Sequence, residues 1–191
     1  MNRPISIFGF LALLLVEACA GGGGGTPTPT PPPPNVWATS LAYVDPGGTG
    51  CRLLKNAALS TPTRLVLDVV GPTGQTGQGV SFILRVDGAK ASWVNPPASA
   101  GLVQSLAFNP GSGPAALVGK DKGGGELQGA VFQKTGSLAL GQPLARVCLE
   151  LKANSVAANS SIGFAFNSGN ALSDSGTVTT LSMATGQLSG Q

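Results

Sequence analysis

The 191-residue chain contains no histidine. That absence removes histidine-based catalytic triads, imidazole metal sites and proton switches near neutral pH. Charge is scarce. Eleven basic and eight acidic residues make up 10 % of the chain and leave a net +3. No basic run is present to follow a phosphate backbone, so a nucleic-acid partner is excluded. Aromatic residues are only 5 %, too few for the girdles of an outer-membrane barrel. No segment of ten or more residues carries a helical apolar period. The GxSxG, SxxK, HExxH and P-loop spacings are all missing.

Carboxylates are few as well. After the first twenty residues they are Asp45, Asp68, Asp87, Asp121, Glu126, Glu150 and Asp174. Glycoside hydrolysis needs two of them ~5–10 Å apart, and nothing in the spacing selects a pair. The chain is therefore read as non-catalytic, with no cofactor. Asn167, Asn170 and Asp174 share one Asn/Ser-rich stretch, NSGNALSD. Oxygen ligands at such spacing suit Ca²⁺, and they equally suit turn capping.

What is present begins with an address. Residues 1–20 read MNRPISIFGFLALLLVEACA. Arg3 precedes an apolar run from Ile5 to Val16, too short for a spanning helix of ~20 residues and laid out as a secretory signal. Val16-Glu17-Ala18-Cys19 resembles the bacterial lipobox, with Glu17 a departure from the usual small or apolar residue. The resemblance implies cleavage after residue 18, a diacylglycerol thioether on Cys19 and a further palmitate-type acyl chain on its new amino group. Ala18-Cys19-Ala20 also fits an A-x-A cleavage site, which would release a soluble periplasmic or secreted protein. Residues 21–35, GGGGGTPTPTPPPPN, follow as a glycine swivel and a polyproline spacer reaching ~30 Å over ten residues. The organisation expected is signal peptide 1–18, lipidated Cys19 with its linker 19–35, and a folded domain 36–191. With Ala20 and not Asp after the cysteine, the lipobox resemblance implies the outer membrane, facing the periplasm or the surface, with the membrane as one partner.

In the domain the apolar period is two. Val80, Phe82, Leu84 and Val86 alternate with Ser81, Ile83, Arg85 and Asp87. Val147, Leu149 and Leu151 alternate with Arg146, Cys148 and Glu150. Ile162, Phe164 and Phe166 alternate with small or polar residues. Further strands are expected at 36–44, 64–70, 102–108, 115–120, 127–134 and 177–183. Gly/Pro/Asn clusters such as DPGGTG and NPGSGP separate them. About nine short strands without helices give an all-β fold: a two-sheet antiparallel sandwich of jelly-roll or immunoglobulin-like type. Cys51 and Cys148 are an even pair in an exported chain and are expected to form a disulfide. Trp93, just before Asn95-Pro96-Pro97, is the candidate sugar-stacking platform, with core packing as its other reading. Trp37 is expected to be packed.

GVSFILRVDGAKASWV at 79–94 and LARVCLELKANSVAANSSIGFAFNSGNALSDSGT at 144–177 are similar to the strands of cohesin-type domains. In those domains a Gly-apolar alternation ends on Asp, and a long alternating strand precedes a small-residue turn and an Asn/Asp-rich loop. The resemblance implies the sandwich shared by cohesins and several carbohydrate-binding modules. It implies a protein partner or, alternatively, a polysaccharide, and it carries over no binding residue.

The anchor is open to direct test. Cys19 incorporates a fatty-acid analogue, and Cys19→Ala abolishes incorporation. An intact mass matching an unmodified N-terminus at Ala20 or Gly21 in the native protein would refute the lipobox reading.

Overall fold

The computed structural model describes residues 36–109 and 117–191. The signal 1–18, Cys19 and the rest of the linker 19–35 lie outside the described residues. Sixteen strand segments run in chain order, and no helix occurs among the described residues. The first half holds β1 (Leu41–Val44), β2 (Cys51–Lys55), β3 (Arg64–Val70), β4 (Thr76–Gly77), β5 (Gly79–Val86), β6 (Ala91–Val94), β7 (Gln104–Ser105) and β8 (Leu117–Gly123). The second holds β9 (Glu126–Phe132), β10 (Leu138–Ala139), β11 (Pro143–Leu151), β12 (Ser160–Ile162), β13 (Phe164–Leu172), β14 (Val178–Thr180), β15 (Met183–Ala184) and β16 (Gln187–Gly190).

Two large sheets face each other. One runs β15-β2-β3-β11-β6, with β7 also on β11; the other runs β14-β13-β5-β9-β8. All pairings are antiparallel except the two-residue β15–β2 contact. A three-stranded sheet, β1-β16-β12, and the β4–β10 pair complete the set. The core lies between the large sheets. Leu65, Leu67, Val69, Val147 and Leu149 come from one, and Val80, Phe82, Leu84, Leu127 and Val131 from the other. The all-β sandwich is thus the fold.

The expected count of about nine strands is too low. Several expected spans break into two- or three-residue pieces where side chains plug the core instead of continuing a ladder. Leu102–Phe108 is one: Gln104–Ser105 alone pairs with β11, while Val103 and Phe108 are buried. In 36–44 the strand begins only at Leu41. Trp37 makes a single bridge to Ala157 and is 40 % exposed, so it is not packed as expected.

The centre of the sandwich is organised by one side chain. Phe82 is essentially solvent-free, and the residues opposite it on both neighbouring strands are glycines, Gly129 on β9 and Gly169 on β13. A Cβ at Gly129 would stand 2.2 Å from the Phe82 ring. The ring occupies the volume that ordinary side chains would fill there. Polar handles tie the ends. The Tyr43 hydroxyl donates to Leu53 O at 3.2 Å and accepts from Gly186 N–H at 2.7 Å. Burial pushes its pKa up to about 12, so the neutral phenol is the packed species at all physiological pH values. On the outward face of the six-stranded sheet, Arg146 grips Asp68 with two hydrogen bonds, of 2.6 and 3.2 Å, and Asn56 donates to the same carboxylate.

The expected Cys51–Cys148 disulfide is not formed; both are buried free thiols. Register explains why. Arg52 pairs with Val70, which sets Cys51 level with residue 71, whereas Cys148 pairs with Val66. The two cysteines are two strands apart and about five residues apart along β3. That is ~9 Å by ~16 Å, against the ~7 Å limit between bridged Cα atoms. They also point to opposite faces. Cys51 belongs to the core, and Cys148 sits on the other side of its strand from Val147 and Leu149. Burial pushes both thiol pKa values up to about 11, which keeps them protonated and unreactive. Unreduced protein therefore resists alkylation at both positions while folded. In denaturant it is alkylated at both, read by peptide mapping; recovery of a linked Cys51–Cys148 peptide pair would overturn this.

Candidate interaction face

The outer face of the five-stranded sheet is a broad surface whose side chains fall in ordered rows. On β5, Val80, Phe82, Leu84 and Val86 turn inward, which sends Gly79, Ser81, Ile83 and Arg85 outward. Register then sets four rows across the sheet. Phe132, Gly79, Leu172 and Val178 form the first; Val118, Ala130, Ser81, Asn170 and Thr180 form the second. Lys120, Gln128, Ile83 and Ser168 follow, and Glu126, Arg85 and Ala165 close the face at one end. The first two rows carry no charge. Apolar and small polar side chains are interleaved, and Val178 is 63 % exposed.

Two shallow hollows mark this face. One, of about 190 Å³, lies over Ser81, Ile83, Gln128, Ser168 and Asn170. Its neighbour, of about 300 Å³, lies over Phe132, Leu172 and Val178. A larger cleft of about 480 Å³ sits at the end of the sandwich, between the Asp87–Ala89 turn, Gly124 and Phe164. Of its two charged lining residues, Asp87 lies 3.4 Å from Lys90 and Arg85 opens onto the outer face of the sheet. The first two rows of the sheet face are broad and lack the charged side chains that interface cores also lack.

Trp93 does not offer a platform, so the stacking role considered for it is corrected. It alternates inward with Ala91, is 5 % exposed, and donates Nε1–H to Gly125 O at 2.8 Å. Its ring and that of Tyr43 flank Phe164, with centroids 6.2 and 6.1 Å away. Gly125 has φ +84°, and a Cβ there would strike Val86 O at 2.1 Å, so glycine is required where the indole docks.

The calcium candidates are not gathered. Asn167 and Asn170 lie on β13 itself and Asp174 in the turn after it. An extended strand advances ~3.3 Å per residue, which spreads the three over ~20 Å. Asn167 instead donates to Glu126 at 3.5 Å, and Asn170 stands in the second row of the face. Among the described residues no three His, Cys, Asp or Glu side chains converge. Other carboxylates hold local structure: Asp121 accepts from Gly123 N–H, Asp45 from Lys55 N–H, and Glu150 pairs with Arg64. The face itself was not singled out in the sequence. Its rows join residues from positions 79 to 180, and only the register brings them together.

No protein-family model and no curated protein matches the sequence. Solved structures do. The chain is similar to the sixth cohesin of scaffoldin B from Acetivibrio cellulolyticus, solved in complex with a Cel5 dockerin variant. Identity is 15 %, coverage 72 % of this chain and 97 % of that one, and the TM-score 0.51. It is also similar to the type II cohesin dyad of the adaptor ScaA scaffoldin from the same organism, with 10 % identity and a TM-score of 0.51. There the match covers 74 % of this chain and 48 % of the dyad, so the chain spans about half of its length. The fold is accordingly a cohesin-like β-sandwich.

Trp93 provides the check on this assignment of roles. Trp93→Ala costs ~3–5 kcal/mol of stability, as expected for a buried indole. Trp93→Phe costs about 1 kcal/mol, the net worth of the Nε1–H bond. Denaturant melts of both variants measure it, and a Trp93→Ala protein as stable as the parent would contradict burial.

Proposed function

We propose that the folded unit is a non-catalytic interaction module that binds a protein partner on the outer face of its five-stranded sheet. The uncharged, interleaved surface of the Ser81 and Gly79 rows carries this reading. A surface that stays in water for its own sake is normally rich in charge. This one is not, in a protein whose other exposed polar groups are often tied into turns and ion pairs. The cohesin fold supports it, because a neighbour of that fold has been solved with a dockerin bound. The burial of Trp93 removes the stacking platform considered there for a polysaccharide ligand.

The module is displayed at the cell envelope in this proposal. Cys19 carries the lipid, two or more acyl chains hold it in the outer membrane, and the Gly/Thr-Pro segment spaces the sandwich from the bilayer.

Ser81→Arg with Asn170→Arg places two guanidinium groups in the middle of the face. The full-length double variant melts within a few degrees of the parent, since Asn170 is exposed and the half-buried Ser81 opens onto the same outward face. It loses at least tenfold in affinity for the protein that the parent captures from the exported fraction of its own cells. Undiminished capture by the double variant would move the interface elsewhere. Strong glycan-array binding without any captured protein would replace the protein partner by a polysaccharide.

A further inference from the structure

β8 is the outermost strand of the five-stranded sheet. It is paired with β9 on one side and with no described residue on the other, and all seven of its residues are exposed. Such an edge presents a free row of N–H and C=O groups on which another strand can add. The pairing with β9 is regular from Leu117 to Asp121, opposite Val131 to Leu127; the register shift falls between Asp121 and Gly123. Five residues are therefore straight enough to continue the sheet.

On the outer face of this edge the charge is positive; Asp121, the strand's one acid, lies level with the core residue Leu127 and so alternates to the other face. Lys120 stands beside the uncharged Gln128 on the outer face, and Lys122 sits at the register shift. Among the described residues the ion pairs are Arg64–Glu150, Lys90–Asp87 and Arg146–Asp68. Neither edge lysine takes part, and among the described residues neither side chain has a hydrogen-bond acceptor. The nearby Asp121 carboxylate is engaged by Gly123 N–H at 2.8 Å. An opposite charge directly across a strand pair stabilises it, and a like charge opposes it. A second copy of β8 brings two more lysines to the junction, so this edge is poorly matched to itself.

We propose that β8 receives an extended acidic segment of the partner protein as an added antiparallel strand, with a carboxylate opposite Lys120 and an apolar side chain opposite Val118. This rests on the interaction-module reading and names the chemistry of the partner. The added strand continues the same face that Ser81 and Asn170 occupy.

The probe is a synthetic peptide, Thr-Val-Thr-Glu-Thr-Val-Thr-Val-Thr, against the same peptide with Lys in place of Glu, titrated to millimolar concentration into isotope-labelled full-length protein. The Glu peptide shifts the backbone amides of Leu117–Asp121 and slows their hydrogen exchange. The Lys peptide binds roughly threefold to tenfold more weakly. Lys120→Glu reverses that preference, which a non-specific effect of the substitution would not do. Absence of shifts at β8, shifts confined to other elements, or equal binding of the two peptides to the parent would overturn the inference. The Ser81→Arg, Asn170→Arg variant separates the two proposals. It retains peptide binding if the edge inference holds, whatever the fate of partner capture on the face.

Discussion

Phe82 and the glycines around it are the constraint on which the sandwich depends. Gly119, Gly129, Phe82 and Gly169 stand in one row across β8, β9, β5 and β13. A Cβ at Gly129 would meet the ring at 2.2 Å, one at Gly169 would meet Ser81 O at 2.5 Å, and one at Gly119 would meet Val103 N at 2.8 Å. A slip of one residue in any of these pairings would set a side chain against the ring and turn a whole apolar row to water. The register of four strands is thereby held by one row of close approaches, with the Phe82–Gly129 match at its centre. Because the two faces of a sheet alternate, that inner row also fixes the outer rows. Ser81 lies between Ala130 and Asn170 for the same reason that Phe82 lies between two glycines.

Few charges are available to a chain of this composition, and their placement is economical. Arg146, Asp68 and Asn56 form one closed cluster, with both ionic side chains at least 85 % covered. Removing one member of a covered pair strands the other, which is far costlier than losing an exposed pair. Elsewhere, buried order is kept by neutral groups. The Tyr43 hydroxyl joins β2 to the turn before β16, and the Trp93 indole reaches Gly125 in the β8–β9 turn. Neutral hydrogen bonds need no desolvated ion, so the interior is insensitive to pH across the neutral range. The face of the Ser81 row can then remain uncharged without leaving the domain dependent on it.

The strands with strict alternation were legible in the sequence because each needs only its own residues to declare a buried face. β5 and β11 are examples. β2, CRLLK, was missed because Leu53 and Leu54 are adjacent and mask the period. The cysteine pair misled for a related reason. An even count in an exported chain says nothing about parity along a strand, and Cys51 and Cys148 turned out to face opposite sides of one sheet. Asn167 and Asn170 looked like loop residues because Gly169 and Ser168 interrupt the pattern. In the fold that interruption is a register shift within β13, and the glycine is the one beside Phe82. The interaction face could not be read at all, since it belongs to pairings between segments up to a hundred residues apart.

A five-residue edge and a shallow face contribute unequally to any complex. Each main-chain hydrogen bond along β8 is worth about 1 kcal/mol net. Association costs at least ~4 kcal/mol in lost freedom before side-chain ordering is counted. A strand addition of this length therefore sets the direction and register of a partner more than it holds one. Affinity has to come from area, and the uncharged rows beside β8 supply it with little desolvation cost. Lys120 stands at the junction of the two. A carboxylate opposite it selects the register that lays the rest of the partner across Ser81 and Asn170, and a partner of the wrong charge is rejected before that area is buried. In the proposed complex, discrimination resides in the edge and binding energy in the face.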